Sequence, residues 1–479
     1  MPKFTVTTPI YYVNDKPHIG HMYSTVAADV LARYHAAKGE EILFSTGVDE
    51  NSQKNIEAAQ KAGQEVKEYI DTMAKVWEDT FKRLGFSYTH FVRTTSSEHK
   101  VAVEAIIKKL EAKGDIYLGD YVGFYCVGCE EFKPPNQLQD GKCPIHGTIP
   151  KEIKEKNYFF KLTNYQDALL KHYAEHPEFL QPESAKNKML YYIEHEIADI
   201  SISRQSQEWG IRLPNDPTHA VYVWFDALIN YLTVTGYPNP GFAKWWPADM
   251  HVIGKDIIKF HCAIWPAMLM AADLELPKRV FAHGFFTING QKISKSLGNA
   301  IDPLDLAKEY PIDAIRYYLL REIPFGADGD FSVGHFKERY NADLANGLGN
   351  LVSRTLNMVE KFWPDFDEER HSEFNVIPRS AEGSITTHLN NLAFDKALEA
   401  IWQTIAKADE LIEQTKPWQL AKEGKDAEIK TTLTQLYVWL LEINQSIAPF
   451  LPDTHKKLTE LLAARPLKKP AEPLFMRKA

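Results

Sequence analysis

Apolar and polar positions change period twice within the first fifty or so residues. Phe4 to Thr8 alternates β-forming residues and stops at Pro9, which predicts a short strand followed by a loop over Ile10–Lys16. Ile19, Met22, Val26, Val30 and Tyr34 then recur at helical spacing, with Pro17 suited to a first turn and Gly39 to a C-terminal cap. Ile42–Phe44 is an unbroken apolar run of the kind found in buried strands, and Asp49 lies just beyond it. Strand, helix and strand in this order open a parallel α/β sheet. The last third reads differently. From about Asn341 the period is helical. Leu389, Leu392, Leu398, Ile401, Ile405, Ala408 and Ile412 make one apolar stripe and Leu436–Leu441 another, which predicts an antiparallel helix bundle. The polar stretch Phe366–Gly383, with Pro378, reads as a connecting loop.

Composition narrows the class. A chain of 479 residues with 44% hydrophobic positions has material for about two to four domains. Lys plus Arg is 55 against 64 Asp plus Glu, and the resulting charge of −9 excludes coating nucleic acid by bulk positive charge. Met1–Val13 has neither a basic n-region with an apolar core nor an amphipathic Arg/Ser stretch, so no targeting segment is expected there. The longest apolar run, Cys262–Ala272, contains Pro266 and is shorter than the ~18 residues a membrane span needs. A soluble, cytoplasmic protein is expected.

Three of the four cysteines sit in a pattern. Cys126 and Cys129 form one C-x-x-C knuckle, and Cys143 with His146 forms C-x-x-H after a short spacer. Four soft or borderline ligands in two paired knuckles suit one tetrahedral structural zinc; a reducing compartment and a histidine partner disfavour disulfides. Cys262, between Phe260 and Trp265, is expected to be a buried small apolar residue.

Neither G-x-G-x-x-G nor G-x-x-x-x-G-K-[ST] occurs, so any nucleotide must be held by other means. One candidate is His18-Ile19-Gly20-His21 at a strand–loop–helix junction, where two imidazoles share a face of the first turn and free N–H groups favour an anion. Gly20 removes a side chain that would keep a flat base from the backbone. The other is Lys292-Ile293-Ser294-Lys295-Ser296, a lysine- and hydroxyl-rich loop flanked by Gly290 and Gly298, which can close on a triphosphate.

HIGH and KISKS in this order resemble the two signatures of class I aminoacyl-tRNA synthetases. The segments TPIYYVNDKPHIGH (8–21), FSTGVDEN (44–51), YVWFDALINY (222–231), HVIGKDIIKFH (251–261), HGFFTINGQKISKS (283–296) and NADLANGLGNLVSR (341–354) resemble the methionyl branch with a single zinc knuckle. Ile293 replaces the Met of the commoner KMSKS wording, a change that leaves the lysines in place.

The resemblance implies a Rossmann-type parallel catalytic sheet split by a zinc-bearing connective insertion and followed by an α-helical anticodon-binding bundle. The implied division is 1–115 and 214–290 for the two catalytic halves, 116–213 for the insertion, 291–345 for the KISKS loop and its stem-contact connection, and 346–479 for the helical domain. It implies ATP-dependent activation of methionine followed by transfer to methionine tRNA, initiator and elongator. His18, His21, Lys292 and Lys295 would be catalytic. Gly20, Gly254, Asp256, His283, Phe285 and Lys295 would hold ATP, with magnesium. Asp49 would meet the α-amino group, and Ile10, Tyr12, Trp224, Ala227, Leu228, Tyr231, Ile257 and His261 would line the side-chain pocket. Asn350, Arg354 and Trp418 would read the anticodon by amide, guanidinium and stacking contacts. An insertion of this length leaves no room for an editing module, so discrimination would rest on the pocket. A monomer is expected. Two rival readings are a nucleotidyltransferase acting on a cofactor precursor, disfavoured by the KISKS loop and helical third, and a non-catalytic tRNA-binding paralogue, disfavoured by the intact histidines and lysines.

Overall fold

The structure is a computed structural model and describes residues 1–133, 137–144, 147–205, 207–288, 290–293, 299–366 and 382–479. Two compact units divide the chain, Met1–His283 and Gly284–Ala479.

In the first unit β1 (Lys3–Tyr12), β2 (Glu41–Asp49) and β3 (His90–Arg93) alternate with α1 (Ile19–Ala37), α2 (Gln53–Ala62), α3 (Val66–Arg83) and, after β3, α4 (Ser97–Lys113). β1 does not stop at Pro9 as expected: it continues to Tyr12, and its pairing with β2 shifts register between Thr7 and Ile10. The irregularity absorbs the missing proline N–H, which a regular central strand would not tolerate. β2 likewise runs to Asp49, whose burial on both faces hides the alternation that would have marked its length. α1 starts two residues later than Pro17 would place it, because the His18 side chain caps it.

An antiparallel sheet follows, ordered β5 (Glu131–Lys133), β4 (Ile116–Cys126), β6 (Lys151–Phe160) and β8 (Ile200–Ser201). Its long β4–β6 ladder pairs Ile116 with Phe160 at one end and Tyr125 with Lys151 at the other, and so carries Cys126 to its far tip. Between its strands come α5 (Gln166–Glu175), β7 (Leu180–Gln181) and α6 (Glu183–His195). The short ladder of β9 (Ser203–Arg204) and β10 (Ala220–Val221), then α7 (Val223–Leu228) and α8 (Asn230–Thr233), lead back to β11 (Met250–Gly254), α9 (Trp265–Ala271) and β12 (Val280–His283). The parallel sheet has the order β3-β2-β1-β11-β12-β7. Val6, Phe44, Val252 and Val280 fill its core with Val26 and Val30 of α1, all fully buried; each such side chain contributes about 1.5–3 kcal/mol. Cys262 is fully buried as expected.

The second unit begins with β13 (Phe286–Ile288), paired antiparallel to β14 (Gln291–Lys292) and parallel to β15 (Gly329–Asp330). Helices α10 (Pro303–Glu309), α11 (Ile312–Arg321) and α12 (Val333–Arg339) precede a wider turn over Tyr340–Gly349 and α13 (Asn350–Phe362). α14 (Glu382–Asn390), α15 (Phe394–Thr415), α16 (Pro417–Lys422), α17 (Asp426–Ile447) and α18 (Pro452–Ala463) complete a bundle in which α15 packs on α14 and α17. The expected stripe from Leu398 to Ile412 is buried; in the second run Leu436 and Leu440 point inward while Leu441 is exposed. Buried Arg316 donates to the carbonyls of Phe450 (2.8 Å) and Pro449 (3.1 Å), and Asp313 accepts from Thr454 N (2.6 Å), tying α11 to the start of α18. Of the connecting stretch Phe366–Gly383, residues 367–381 lie outside those described. No helix among the described residues is long and apolar enough to cross a membrane.

Candidate active site and metal centre

Strand order reverses between β1 and β11, and in open parallel sheets ligands bind outside the carboxyl ends at such a point. Five expected site residues fall there: Tyr12 ends β1, Asp49 ends β2, Gly254 ends β11, His283 ends β12, and His18 follows β1 at the start of α1.

The two histidines are locked by the helix start itself. His18 Nδ1 accepts from Gly20 N (3.1 Å), His21 Nδ1 accepts from His18 N (3.1 Å), and the rings stack with centroids 3.7 Å apart. This is a reciprocal capping box made of imidazoles in place of the usual hydroxyl and carboxylate. Because each Nδ1 receives a backbone N–H, the ring proton of each sits on Nε2, and both rings carry an N–H donor suited to a phosphate oxygen. Behind them stand Tyr11, 5.1 Å from His21, and Trp77, 4.9 Å from it; the latter is anchored through Nε1 to the carbonyl of Asp15 at 2.8 Å. His283 meets Ser24 on α1 through Nε2 and Oγ at 2.6 Å. Asp256 lies exposed on the turn after Gly254.

The pocket residues converge from β1, α7, α8 and the segment after β11. Trp224 lies edge-on to Tyr12 at 6.2 Å and stacks on Phe260 at 4.0 Å. His261 Nδ1 donates to the carbonyl of Ile257 (3.0 Å), so its Nε2 accepts from the Tyr231 hydroxyl at 2.7 Å. Burial lowers the His261 pKa to about 4, which keeps the ring neutral. Tyr231 and His261 are therefore bonded to each other, whereas the buried Tyr12 hydroxyl and Trp224 Nε1 have no hydrogen-bond partner among the described residues. Ala227 and Leu228 are buried on α7, and Ile10 and Ile257 are half-buried.

Asp49 is 2% exposed. Burial pushes its carboxyl well above the usual range, with Glu130 and Glu50 adding to the shift against a hydrogen bond from Asn51 N at 3.2 Å. The Asn51 side-chain amide donates to Asp226 at 2.8 Å, and Asp226 is also pushed up, first by burial and then by the charge of Asp49. One Asp226 oxygen has no partner among the described residues. Glu50 itself is neutralised by Arg93 at 2.6 Å. Two buried carboxylates bridged by one asparagine form a place where a cation restores ionisation.

The Sγ atoms of Cys126, Cys129 and Cys143 lie within 4.8 Å of one another. Cys129 and Cys143 are 3.6 Å apart, close to the ~3.8 Å edge of a tetrahedron with Zn–S bonds of ~2.3 Å and far beyond a disulfide bond of ~2.05 Å. Three thiols outside any disulfide converging in this way fit a zinc ion; the expected fourth ligand, His146, lies outside the described residues.

In the second unit Phe285 N donates to Asp328 at 2.8 Å, and Lys292 ends the β13–β14 hairpin; Lys295 lies outside the described residues. Asn350 and Arg354 lie on α13 and Trp418 on α16, which pack together. Trp418 is 39% exposed, which removes it from the bundle core, and Arg354 is held by Glu413 (2.7 Å) and Asp409 (3.5 Å).

Sequence reading passed over Asn51, Asp226, Phe260, Ser24, Trp77 and Glu130. Asn51 and Asp226 sit inside segments already singled out, next to Asp49 and Trp224, and adjacency was the available signal. Nothing in the sequence pointed to Ser24, which meets His283 across 259 positions.

A nucleotide-type parallel sheet with a histidine-capped first helix, a thiol knuckle in a connective insertion and a trailing helical bundle define a class I synthetase architecture. The family described as tRNA synthetases class I (M) matches residues 4–148 and 133–356, and the chain belongs to it. It is 46% identical to the methionine–tRNA ligase of Caldanaerobacter subterraneus subsp. tengcongensis, over 96% of this chain and 74% of that one. It is 43% identical to that of Thermotoga maritima, over 95% and 74%. The solved methionyl-tRNA synthetase of Mycobacterium tuberculosis in complex with methionyl-adenylate superposes with a TM-score of 0.92 at 37% identity, covering all of both chains. The apo form of that enzyme gives 0.83 at 34% identity, over 100% and 99%.

Proposed function

We propose that this chain activates L-methionine with ATP and transfers it to methionine tRNA. The observation that carries the reading is the pairing, at one end of the sheet, of a histidine-capped helix start able to bind phosphate with a buried carboxylate and aromatic pocket able to bind a small ammonium-bearing apolar molecule. In the first step the methionine carboxylate oxygen attacks the α-phosphorus of ATP and pyrophosphate leaves. In the second, the terminal ribose hydroxyl of the tRNA attacks the adenylate carbonyl and AMP leaves.

The first step needs positioning and charge neutralisation more than covalent chemistry. His18 and His21 direct Nε2–H donors at phosphate oxygens, with Gly20 letting the nucleotide lie against the backbone. Gly254 and Asp256 hold the ribose, and His283 and Phe285 flank the adenine. Lys292 and Lys295 neutralise the leaving pyrophosphate, and magnesium bound with ATP would supply further positive charge there. Asp49 takes the α-amino group as a charge-assisted pair. Ile10, Ala227, Leu228, Ile257, Trp224 and the bonded Tyr231–His261 pair enclose the thioether, and the Tyr12 hydroxyl supplies a donor to sulfur, a weak acceptor. Cys126, Cys129, Cys143 and His146 would hold a structural zinc, whose bonds to them would cross-link the knuckle. Asn350, Arg354 and Trp418 read the anticodon.

ATP–pyrophosphate exchange with each proteinogenic amino acid, followed by charging of methionine tRNA, tests the reading. Exchange with methionine alone and methionine-dependent charging are expected. Exchange with another amino acid in preference, or none with any, overturns it.

A further inference from the structure

The residue after the metal ligand Cys129 is Glu130, which is fully buried and sits at φ 52°, a left-handed conformation that a glutamate adopts only when its surroundings hold it there. Its carboxylate leaves the knuckle altogether. One oxygen accepts from Lys54 N at 2.9 Å; the other accepts from the Tyr125 hydroxyl, and the Glu130 carbonyl accepts from the Tyr222 hydroxyl. Lys54 N is among the first-turn donors that α2 cannot satisfy by itself. The helix's own N-cap, Ser52, takes only Asn55 N at 3.3 Å. Glu130 therefore caps α2 from 76 positions away, with a negative charge at the helix end that favours it.

That first turn holds two parts of the amino-acid pocket. Asn55 Nδ2 donates to the Asp49 carbonyl at 2.9 Å, and the Lys54 ammonium lies 4.7 Å over the Tyr12 ring. The Tyr222 hydroxyl, bonded to Glu130, stands at the N-terminus of α7, whose next residues include Trp224. Arg204 closes the arrangement, its guanidinium 4.4 Å over Tyr125 and 4.9 Å over Tyr222. A single buried side chain thus connects the thiol knuckle to Asp49, Tyr12 and the start of α7.

We infer that Glu130 is a positioning residue that transmits the order of the metal knuckle to the methionine pocket, by capping α2 and bracing Tyr125 and Tyr222. The inference rests on the proposed methionine activation. A carboxylate serving only the knuckle would face the thiols, whereas this one serves a helix of the catalytic sheet.

Methionine binding followed by Trp fluorescence or calorimetry, without ATP, is the test, with zinc content measured in parallel on the zinc-loaded full chain. Glu130→Ala should weaken methionine at least tenfold while zinc content and the KM for ATP stay within twofold of wild type. Glu130→Gln, which keeps an acceptor for Lys54 N, should recover affinity to within threefold. Tyr222→Phe removes only the hydroxyl that bonds the Glu130 carbonyl, keeps the core filled and should cost a few-fold in methionine affinity, a measurement that stands even if Glu130→Ala does not fold. Removing zinc with a chelator should weaken methionine in the wild type and in Glu130→Gln, and add little in Glu130→Ala. Unchanged methionine affinity in Glu130→Ala or Tyr222→Phe, or equal loss in Glu130→Ala and Glu130→Gln, overturns the inference. A wild type that exchanges with no amino acid overturns the functional reading instead, and this inference with it.

Discussion

The pocket around Asp49 and the patch around Arg354 both present a charged group beside aromatic rings, yet they are built on opposite principles. Asp49 is buried, its carboxyl pushed up by desolvation and held by Asn51 in a network that includes Asp226. Arg354 is half-buried on a helix, already paired with Glu413 and Asp409, beside a Trp418 that is 39% exposed. The small zwitterion proposed for the first site would surrender its hydration there, so the protein must supply a complete replacement. Unpaired bases are large, carry π faces and remain partly wet, so exposed groups on rigid helices suffice. The first site should therefore be intolerant of single changes and pH-dependent, and the second graded in its response.

Asp49→Asn offers the sharpest break. Truncating one partner of a buried charge pair costs ~2–5 kcal/mol, so kcat/KM for methionine in pyrophosphate exchange should fall at least about 30-fold. A loss below about fivefold would place the ammonium elsewhere. Trp418→Ala is next. Stacking of one base is worth ~1–3 kcal/mol, so charging of methionine tRNA should weaken about 5- to 150-fold while exchange is unchanged; loss of both would return Trp418 to a packing role.

A smaller effect separates the two sites by pH. In the free protein the Asp49 carboxyl lies above its ordinary value, burial being the main cause, and an ammonium stabilises its ionised form. The free pocket then holds more protons than the complex, binding releases protons, and methionine affinity rises with pH through the range where the free carboxyl titrates. Calorimetry in two buffers of different ionisation enthalpy, run across the pH range in which the protein is folded, should report net release that Asp49→Asn abolishes; no release at any pH breaks the argument. The smallest effect concerns shape. Norleucine replaces sulfur by a methylene and leaves the Tyr12 donor unpaired, but thioether sulfur is a weak acceptor. Selectivity should stay within the ~10- to 200-fold that such pockets reach, and exchange kinetics showing more than a thousandfold would require a further discriminating contact.

Much of the site was legible because its residues are local signals. The HIGH tetrapeptide declares itself by spacing at a helix start, the knuckle by its thiols, and the bundle by its stripe from Leu398 to Ile412. Three details were not. The rings of His18 and His21 are bound to backbone N–H groups, which decides where their protons lie, and only the cap geometry reveals that. Tyr231 and His261, expected to line the side-chain pocket, hydrogen-bond to each other. Pro9 and Pro17 led to element boundaries that a register shift and a histidine cap displaced.

The sequence by itself determined the class of fold, its opening strand, helix and strand, its closing helix bundle and the candidate residues of the site, because helical and strand periods, glycine and proline positions and paired metal ligands are properties of neighbouring residues. Only the tertiary structure decided which groups meet: Asn51 with Asp226 across 175 positions, Ser24 with His283 across 259, and Glu130 with the start of α2 across 76. Burial and hydrogen-bond pairing are set by chain segments that pack together, and a carboxylate's charge or a hydroxyl's availability follows from those neighbours rather than from its own place in the chain.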